Sequence, residues 1–191
     1  MVADHQTQGR GRRARRWETP PGTALLASFV LQPGPLLSLA AGVAAASACG
    51  RNVSLKWPND LLLEGRKLGG VLVEVHGGKA IVGIGINLSW APPDGIALGE
   101  DRDRLLERLQ AELERWAPAP AEEVLAAWRN LSDTLGRPVR VELPSRPVEG
   151  LAEDVDSDGA LIVSGHRVAA GDVIYLRARE DAAAPRRSGP G

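Results

Sequence analysis

Cysteine is almost missing from this chain: Cys49 is the single one in 191 residues, which excludes an internal disulfide and any metal site built on clustered thiolates. It sits in an alanine-rich apolar run, where a small core filler is expected, and a reducing, cytoplasmic compartment fits. Aromatic rings are scarce too. One Phe and one Tyr stand against five Trp, so the core must be built of Ala, Val, Leu and Ile, and each tryptophan needs its own explanation. Neither sign of charge is in excess, because 23 basic and 24 acidic residues leave a net charge of −1. Such a balance gives no global attraction to nucleic acid or to an anionic membrane, and any basic site must be local. No apolar run approaches the roughly 20 residues that span a bilayer, and no signal peptide is legible. A soluble protein without a membrane partner is expected.

What is present is an apolar content of 43%, enough for one sizeable core or one domain with a small appendage. The chain starts abruptly, with Val2 and Ala3 leading into Arg10-Gly11-Arg12-Arg13-Ala14-Arg15-Arg16. Five arginines so close together read as a mobile segment able to wrap an anion, since guanidinium forks pair with carboxylate and phosphate. A basic arm binding nucleic acid without specificity is the alternative. A buried strand follows at 23–31, then a helix of small residues at 36–48 that packs closely on a sheet. Strands are expected at 53–55, 61–63, 68–75 and 79–88. Amphipathic helices are expected at 101–116 and 121–135, the first with Leu105, Leu109 and Leu113 at helical spacing, the second with Trp128 as a packing anchor. From Gly136 the pattern turns to short strands at 139–143, 148–155, 160–163, 167–169 and 173–176, with Asp156-Ser157-Asp158-Gly159 as a hairpin turn.

The stretch Lys56-Trp57-Pro58-Asn59-Asp60 to Gly65-Arg66-Lys67-Leu68-Gly69-Gly70 stands out because it sets charged, aromatic and glycine residues among buried strands. Keeping lysines, an asparagine and an aspartate beside Val71-Leu72-Val73 costs desolvation unless something anionic or hydrogen-bonding sits among them. A ligand site is one reading and an ordinary charged hairpin is the other. In the strand that follows, Gly83, Gly85 and Asn87 share one face, where a missing side chain lets a ligand or another backbone approach.

Together these motifs resemble the biotin protein ligases. Gln6-x-x-Gly9-Arg10-Gly11-Arg12-Arg13, Lys56-Trp57-Pro58-Asn59-Asp60, Gly65-Arg66-Lys67-Leu68-Gly69-Gly70 and Gly83-Ile84-Gly85-Ile86-Asn87 occur in that family's order and at about its spacing, and Gly171-Asp172-Val173 is similar to the end of its C-terminal unit. The resemblance implies an α+β fold: a mixed β-sheet catalytic domain flanked by helices, of the class II synthetase-like biotin/lipoate ligase type, over 1–135. A small SH3-like β-barrel over 136–179 and a disordered tail over 180–191 would follow. It implies ATP and biotin as substrates with Mg²⁺, and a biotinyl-5′-AMP intermediate. The partner would be the carrier domain of acetyl-CoA carboxylase or a related carboxylase, with no specific DNA binding; a homodimer is compatible with the family.

By the same resemblance Lys67 is the central cation, touching the biotin carboxylate and the α-phosphate. Gln6, Gly9, Arg10, Gly11, Arg12, Gly69 and Gly85 belong with biotin; Arg15, Trp17, Lys56, Asn59 and Asn87 belong with the nucleotide. Asp60 positions the acceptor lysine or assists magnesium, and with Lys67 and Arg12 completes the catalytic set. Two departures are visible. Ala14 replaces a glycine common in the arginine loop, and the family's first strand and helix, which carry the contacts to the biotin ring, have no counterpart. Losing about three neutral hydrogen bonds at ~0.5–1.5 kcal/mol each weakens biotin by roughly ten- to two-thousand-fold. The expectation is therefore a fragment or misassigned start of a longer ligase, or a poor enzyme. No helix-turn-helix is legible, which argues against the repressor type.

Two rivals remain open: a lipoate ligase or lipoyl (octanoyl) transferase, and a non-catalytic remnant that binds carrier protein or nucleic acid. Offered labelled biotin and labelled lipoate with a carrier domain, the chain should transfer biotin; transfer of lipoate alone would favour the first rival.

Overall fold

A computed structural model describes residues 1–176 other than Arg51 and Ser145. The expected disordered tail at 180–191 lies outside the described residues. Six strands form the larger sheet: β1 (Val2–Ala3), β2 (Ala24–Leu31), β3 (Val53–Lys56), β4 (Asp60–Leu63), β5 (Arg66–His76) and β6 (Lys79–Asn87), in the order β1-β2-β6-β5-β4-β3. Neighbouring strands run antiparallel, and among the described residues parallel pairing is confined to single bridges, Leu55 with Ser132 and Lys67 with Gly95. The β4–β5 turn places Glu64 and Gly65 at φ of 53° and 69°, the left-handed pair that a two-residue hairpin requires.

The helix of small residues, α1 (Leu37–Ala48), covers one face of this sheet and is buried almost all round. It is enclosed because α2 (Arg102–Trp116) and α3 (Ala121–Leu131) pack on its far side. Each brings one apolar stripe: Leu105, Leu109 and Leu113 from α2, and Val124, Leu125 and Trp128 from α3. Asp101 caps α2 by accepting from the backbone N–H groups of Asp103 and Arg104 at 3.1 and 3.0 Å, which satisfies two of the helix's unpaired donors. α3 stops earlier than its sequence pattern suggests. The Asp133 N–H is taken by Leu55 O at 2.8 Å, so a bond to the sheet replaces the next helical turn.

A second antiparallel sheet holds β7 (Pro138–Glu142), β8 (Val148–Val155), β9 (Leu161–Val163), β10 (His166–Val168) and β11 (Asp172–Tyr175), in the order β10-β9-β8-β7-β11. It is joined to the first by Trp57. That indole is buried, its Nε1 donates to Gly159 O at 3.0 Å and its backbone N–H donates to Thr134 Oγ1 at 2.9 Å. The tryptophan at the centre of the conspicuous motif is therefore a rivet between sheets, and the apolar cluster runs on from α1 into β7–β11.

Arg129 of α3 adds a peripheral tie, donating to both Asp154 carboxylate oxygens at 2.6 and 3.1 Å and to Val155 O at 2.9 Å. Its hydrogen bond holds the Asp154 carboxyl below the usual carboxylate range. A carboxyl lowered in this way stabilises the fold above its unfolded pKa and ceases to do so as pH falls through its folded value. Because the pair is partly exposed, Asp154→Asn should cost only about 0.2–1 kcal/mol at neutral pH. In urea titrations the gap between variant and wild type should close on acidification; a gap persisting at low pH would assign Asp154 to packing instead.

Candidate functional site

The face of the large sheet turned away from α1 is the floor of a cleft of about 480 Å³. Strand alternation brings Leu26 and Ser28, Gly83 and Gly85, and Gly70, Leu72 and Glu74 to this face. Lys67 reaches it through a break in register. Leu61 pairs with Gly69 but Leu62 pairs with Lys67, so Leu68 is an inserted bulge residue. One extra residue reverses the alternation: Leu68 stays in the core and Lys67 turns to the cleft, on the side of Asp60. Its Nζ donates to Asp60 Oδ1 at 2.7 Å and lies 5.8 Å from the centre of the Trp17 ring.

The arginine segment forms the roof. It is drawn into a hairpin, with Arg10 bridged to Arg16, Trp17 N bonded to Gly9 O at 3.0 Å and Gly11 N to Arg15 O at 2.7 Å. Carboxylates meet its side chains. Arg10 makes a two-pronged pair with Glu74 at 3.1 and 2.7 Å, and Arg13 and Arg15 reach Asp172 of β11 at 3.3 and 2.7 Å. Burial, the largest cause, moves the Arg12 pKa down while Asp172 opposes it; a guanidinium starts so high that it stays a cation.

Trp17 closes one side of the cleft by lying flat against Gly85. A Cβ at Gly85 would sit 2.9 Å from Trp17 Cε2, whereas one at Gly83 would meet nothing nearer than Leu72 O at 3.7 Å. Of the two glycines, only Gly85 is required for close approach. Two buried polar atoms have no partner among the described residues: Trp17 Nε1, whose residue lines the cleft, and Asn87 Oδ1, whose residue does not. Each costs about 1–3 kcal/mol if left unpaired, and a ligand in the cleft offering an acceptor would remove that cost for the indole.

The fold brings Gln6, Arg10, Gly11, Arg12, Arg15, Trp17, Asn59, Asp60, Lys67 and Gly85 together along the cleft. Gly9, Lys56, Gly69 and Asn87 are not part of that lining. A side chain at Gly9 would overlap the Trp17 carbonyl and one at Gly69 the Gly85 carbonyl, so both permit backbone contact. Lys56 lies over the Tyr175 ring with its Nζ 4.4 Å from the centroid, and burial lowers its pKa, Asp60 opposing. Asn87 donates to Ile96 O at 3.2 Å, holding the segment whose Ile96 N–H bonds to Lys67 O at 2.9 Å. Sequence reasoning passed over Glu74 and Asp172. A lone acid in the run Val71 to Val75 was the available signal for Glu74; Gly171-Asp172-Val173 was marked only as the end of the C-terminal unit, with nothing local to tie Asp172 to the arginines. Among the described residues no group of three or more His, Cys, Asp or Glu side chains is placed to hold a metal ion, and no helix is long and apolar enough to cross a membrane.

Known proteins resemble the chain along most of its length. Residues 1–90 match the biotin/lipoate A/B protein ligase family and residues 134–175 the biotin protein ligase C-terminal domain. A biotin–[acetyl-CoA-carboxylase] ligase of Mycobacterium tuberculosis is 37% identical over 93% of this chain and 79% of its own length. The bifunctional ligase/repressor BirA of Salmonella typhimurium is 32% identical over 94% of this chain and 67% of its own. In structure, the Aquifex aeolicus biotin protein ligase in complex with biotin and ATP superposes with a TM-score of 0.76 at 29% identity, covering 93% of this chain and 88% of that one.

The contrast between the two glycines is directly testable. In Gly85→Ala the indole N–H resonance of Trp17, assigned by its loss in Trp17→Phe, should shift and exchange faster with water, while Gly83→Ala leaves it in place. An unmoved resonance in Gly85→Ala would mean that the sheet yields and the indole does not.

Proposed function

The chain belongs to the biotin protein ligase family, and from that premise we propose how its cleft carries out the family's reaction. It is an ATP-dependent biotin protein ligase, using biotin and ATP and acting on the biotin carrier domain of a carboxylase. The acceptor we propose is the carrier domain of acetyl-CoA carboxylase. We assign substrate binding to residues 1–135 and a supporting role to the β unit that follows. Should two copies pair edge to edge, the outer edge of β5 beyond Val71 is suited to it, since among the described residues β4 covers only Arg66 to Gly70.

In the first step a biotin carboxylate oxygen attacks the α-phosphorus of ATP, a P–O bond forms, and the bond to the β-phosphate breaks to release pyrophosphate. Both reactants are anions, so the barrier falls only if cations hold them in line and absorb the developing charge. Lys67 is the group we place between carboxylate and α-phosphate, with Arg12 and Arg15 above. The observation that carries this reading is the Leu68 bulge, which turns the Lys67 ammonium into the cleft beneath the arginine hairpin. Asp60 holds that ammonium at 2.7 Å until substrate oxygens compete for it, and is then free to orient the acceptor lysine. In the second step the neutral acceptor amine attacks the acyl carbon and AMP leaves. The closed hairpin shields the mixed anhydride from water between the steps.

Trp17 fits the nucleotide base, because its unpartnered indole N–H can donate to an acceptor edge of a heterocycle; Gln6 and Gly11 fit biotin along the hairpin. Magnesium bound with the nucleotide would take most of its ligands from phosphate and water; Asp60 is the cleft carboxylate that could hold it, since Glu74 gives both oxygens to Arg10, and the ion would supply charge neutralisation.

Lys67→Ala should lower biotin-dependent exchange of labelled pyrophosphate into ATP by about 10²–10³-fold, as for loss of one preorganised charge-stabilising donor, with the circular dichroism spectrum unchanged. Wild-type exchange in that variant would overturn the role given to Lys67.

A further inference from the structure

Two glycines of β6 lie in the floor of the cleft, and packing accounts for only one of them. Gly85 has the Trp17 ring against it, whereas the space above Gly83 is open: a Cβ there would meet only Leu72 O, at 3.7 Å. A glycine inside a strand weakens it, and where no other backbone approaches it marks a place for a ligand. The hollow at Gly83 therefore belongs to whatever the cleft receives.

Register fixes the walls of this hollow. Gly83 pairs with Ser28 of β2 on one side and with Leu72 of β5 on the other, so a hydroxyl and an apolar side chain flank it directly, each about 5 Å away across the sheet. Among the described residues that line the cleft, Ser28 carries the one hydroxyl. Its backbone N–H and carbonyl are both taken by Met1, at 2.8 and 2.9 Å, and the hydroxyl itself has no partner among the described residues. The reactive end is close by. A Cβ at Gly70 would stand 3.5 Å from Asp60 Oδ1, so the Asp60–Lys67 pair sits over Gly70. Gly70 pairs with Gly85, which makes Gly83 its diagonal neighbour, about 7–8 Å away. An acid held at Lys67 by its carboxylate, with a ring at the end of a short alkyl chain, would set that ring over Gly83.

We propose that Ser28 is a specificity-determining residue of the ligase reaction: beside the Gly83 hollow its hydroxyl hydrogen-bonds the ring of the acid, so that the cleft favours a ring with N–H and C=O groups, such as the ureido ring of biotin, over an apolar one such as the dithiolane of lipoate. A serine hydroxyl can donate and accept, and Leu72 meets the apolar side of the same ring. A site that hydrogen-bonds its substrate discriminates against an analogue without the partner better than an apolar pocket does, because the analogue leaves the hydroxyl desolvated and unpaired. This inference rests on the reading of the cleft given above, and the choice of acids separates their failures.

The test is pyrophosphate exchange by the full chain with three acids: biotin, desthiobiotin, which keeps the ureido ring and lacks the thioether ring, and lipoate. Ser28→Ala should raise the KM for biotin and for desthiobiotin alike by about three- to tenfold, as for loss of one neutral hydrogen bond. Its kcat and its KM for ATP should stay where they are, as for an interaction equal in ground and transition states, and any exchange with lipoate should be no weaker than in the wild type. Ser28→Thr, which keeps the hydroxyl, should recover most of the loss. Gly83→Val, whose side chain suits a strand, should fill the hollow and raise the KM for biotin about 10- to 100-fold, with the circular dichroism spectrum and the KM for ATP unchanged. A biotin KM unmoved in Ser28→Ala would overturn the proposal, while biotin-dependent exchange by the wild type would still uphold the reading of the cleft. Equal rises in the KM for biotin and for ATP would also overturn it, because they would make Ser28 a packing residue. Exchange by the wild type with lipoate alone, or with none of the acids, would reject the reading of the cleft and the proposal with it.

Discussion

Cations repel one another, and a site for two anionic reactants must nevertheless concentrate them on one side of an apolar sheet. Everything around the cleft follows from how that repulsion is offset. Each cation is given a carboxylate from a different part of the chain: Asp60 of β4 for Lys67, Glu74 of β5 for Arg10, Asp172 of β11 for Arg13 and Arg15. Partly exposed pairs of this kind contribute little to stability. Their value lies in preorganisation, because a cation already held in place loses less freedom when an anion replaces its partner.

The scaffold is what lets these remote carboxylates converge. Small residues on α1 let it lie close to the sheet while α2 and α3 enclose it, and Trp57 fastens the C-terminal sheet beside β3 and β4 through Gly159 and Thr134. That places the start of β11 within reach of the arginine hairpin. The motif that marks the site in the sequence thus does two jobs. Lys56-Trp57-Pro58-Asn59-Asp60 turns the chain, through a cis Trp57–Pro58 bond and the Asn59 clamp on Val71 O at 2.8 Å, while its tryptophan joins the sheets.

Much of this was legible from residues alone. Alternation and apolar runs gave the strands from β2 onward to within a residue or two, whereas the two-residue β1 on the edge of the sheet was not foreseen; the leucine stripe of α2 and the hairpin turns came out as expected. Where expectation and structure part, tertiary contact is the reason. α3 ends at Leu131 because Leu55 takes the Asp133 N–H. The arginine segment forms a hairpin in which Glu74 pairs with Arg10 and Asp172 with Arg13 and Arg15. Of the two glycines left open as packing or ligand positions, Gly85 is the one with an indole against it.

The sequence by itself determined which elements form and which chemical groups the site contains, because turn chemistry, periodicity and side-chain charge act over a few residues and can be read in place. It also carried the family's motifs in order. Only the tertiary structure decided which way Lys67 points, since one bulge residue reverses a strand's faces, and which carboxylate holds the arginines, since Asp172 follows Arg12 by more than 150 residues. Such pairings depend on strand register and on the docking of two sheets, the sum of many weak contacts between remote residues, and no short stretch of sequence records that sum.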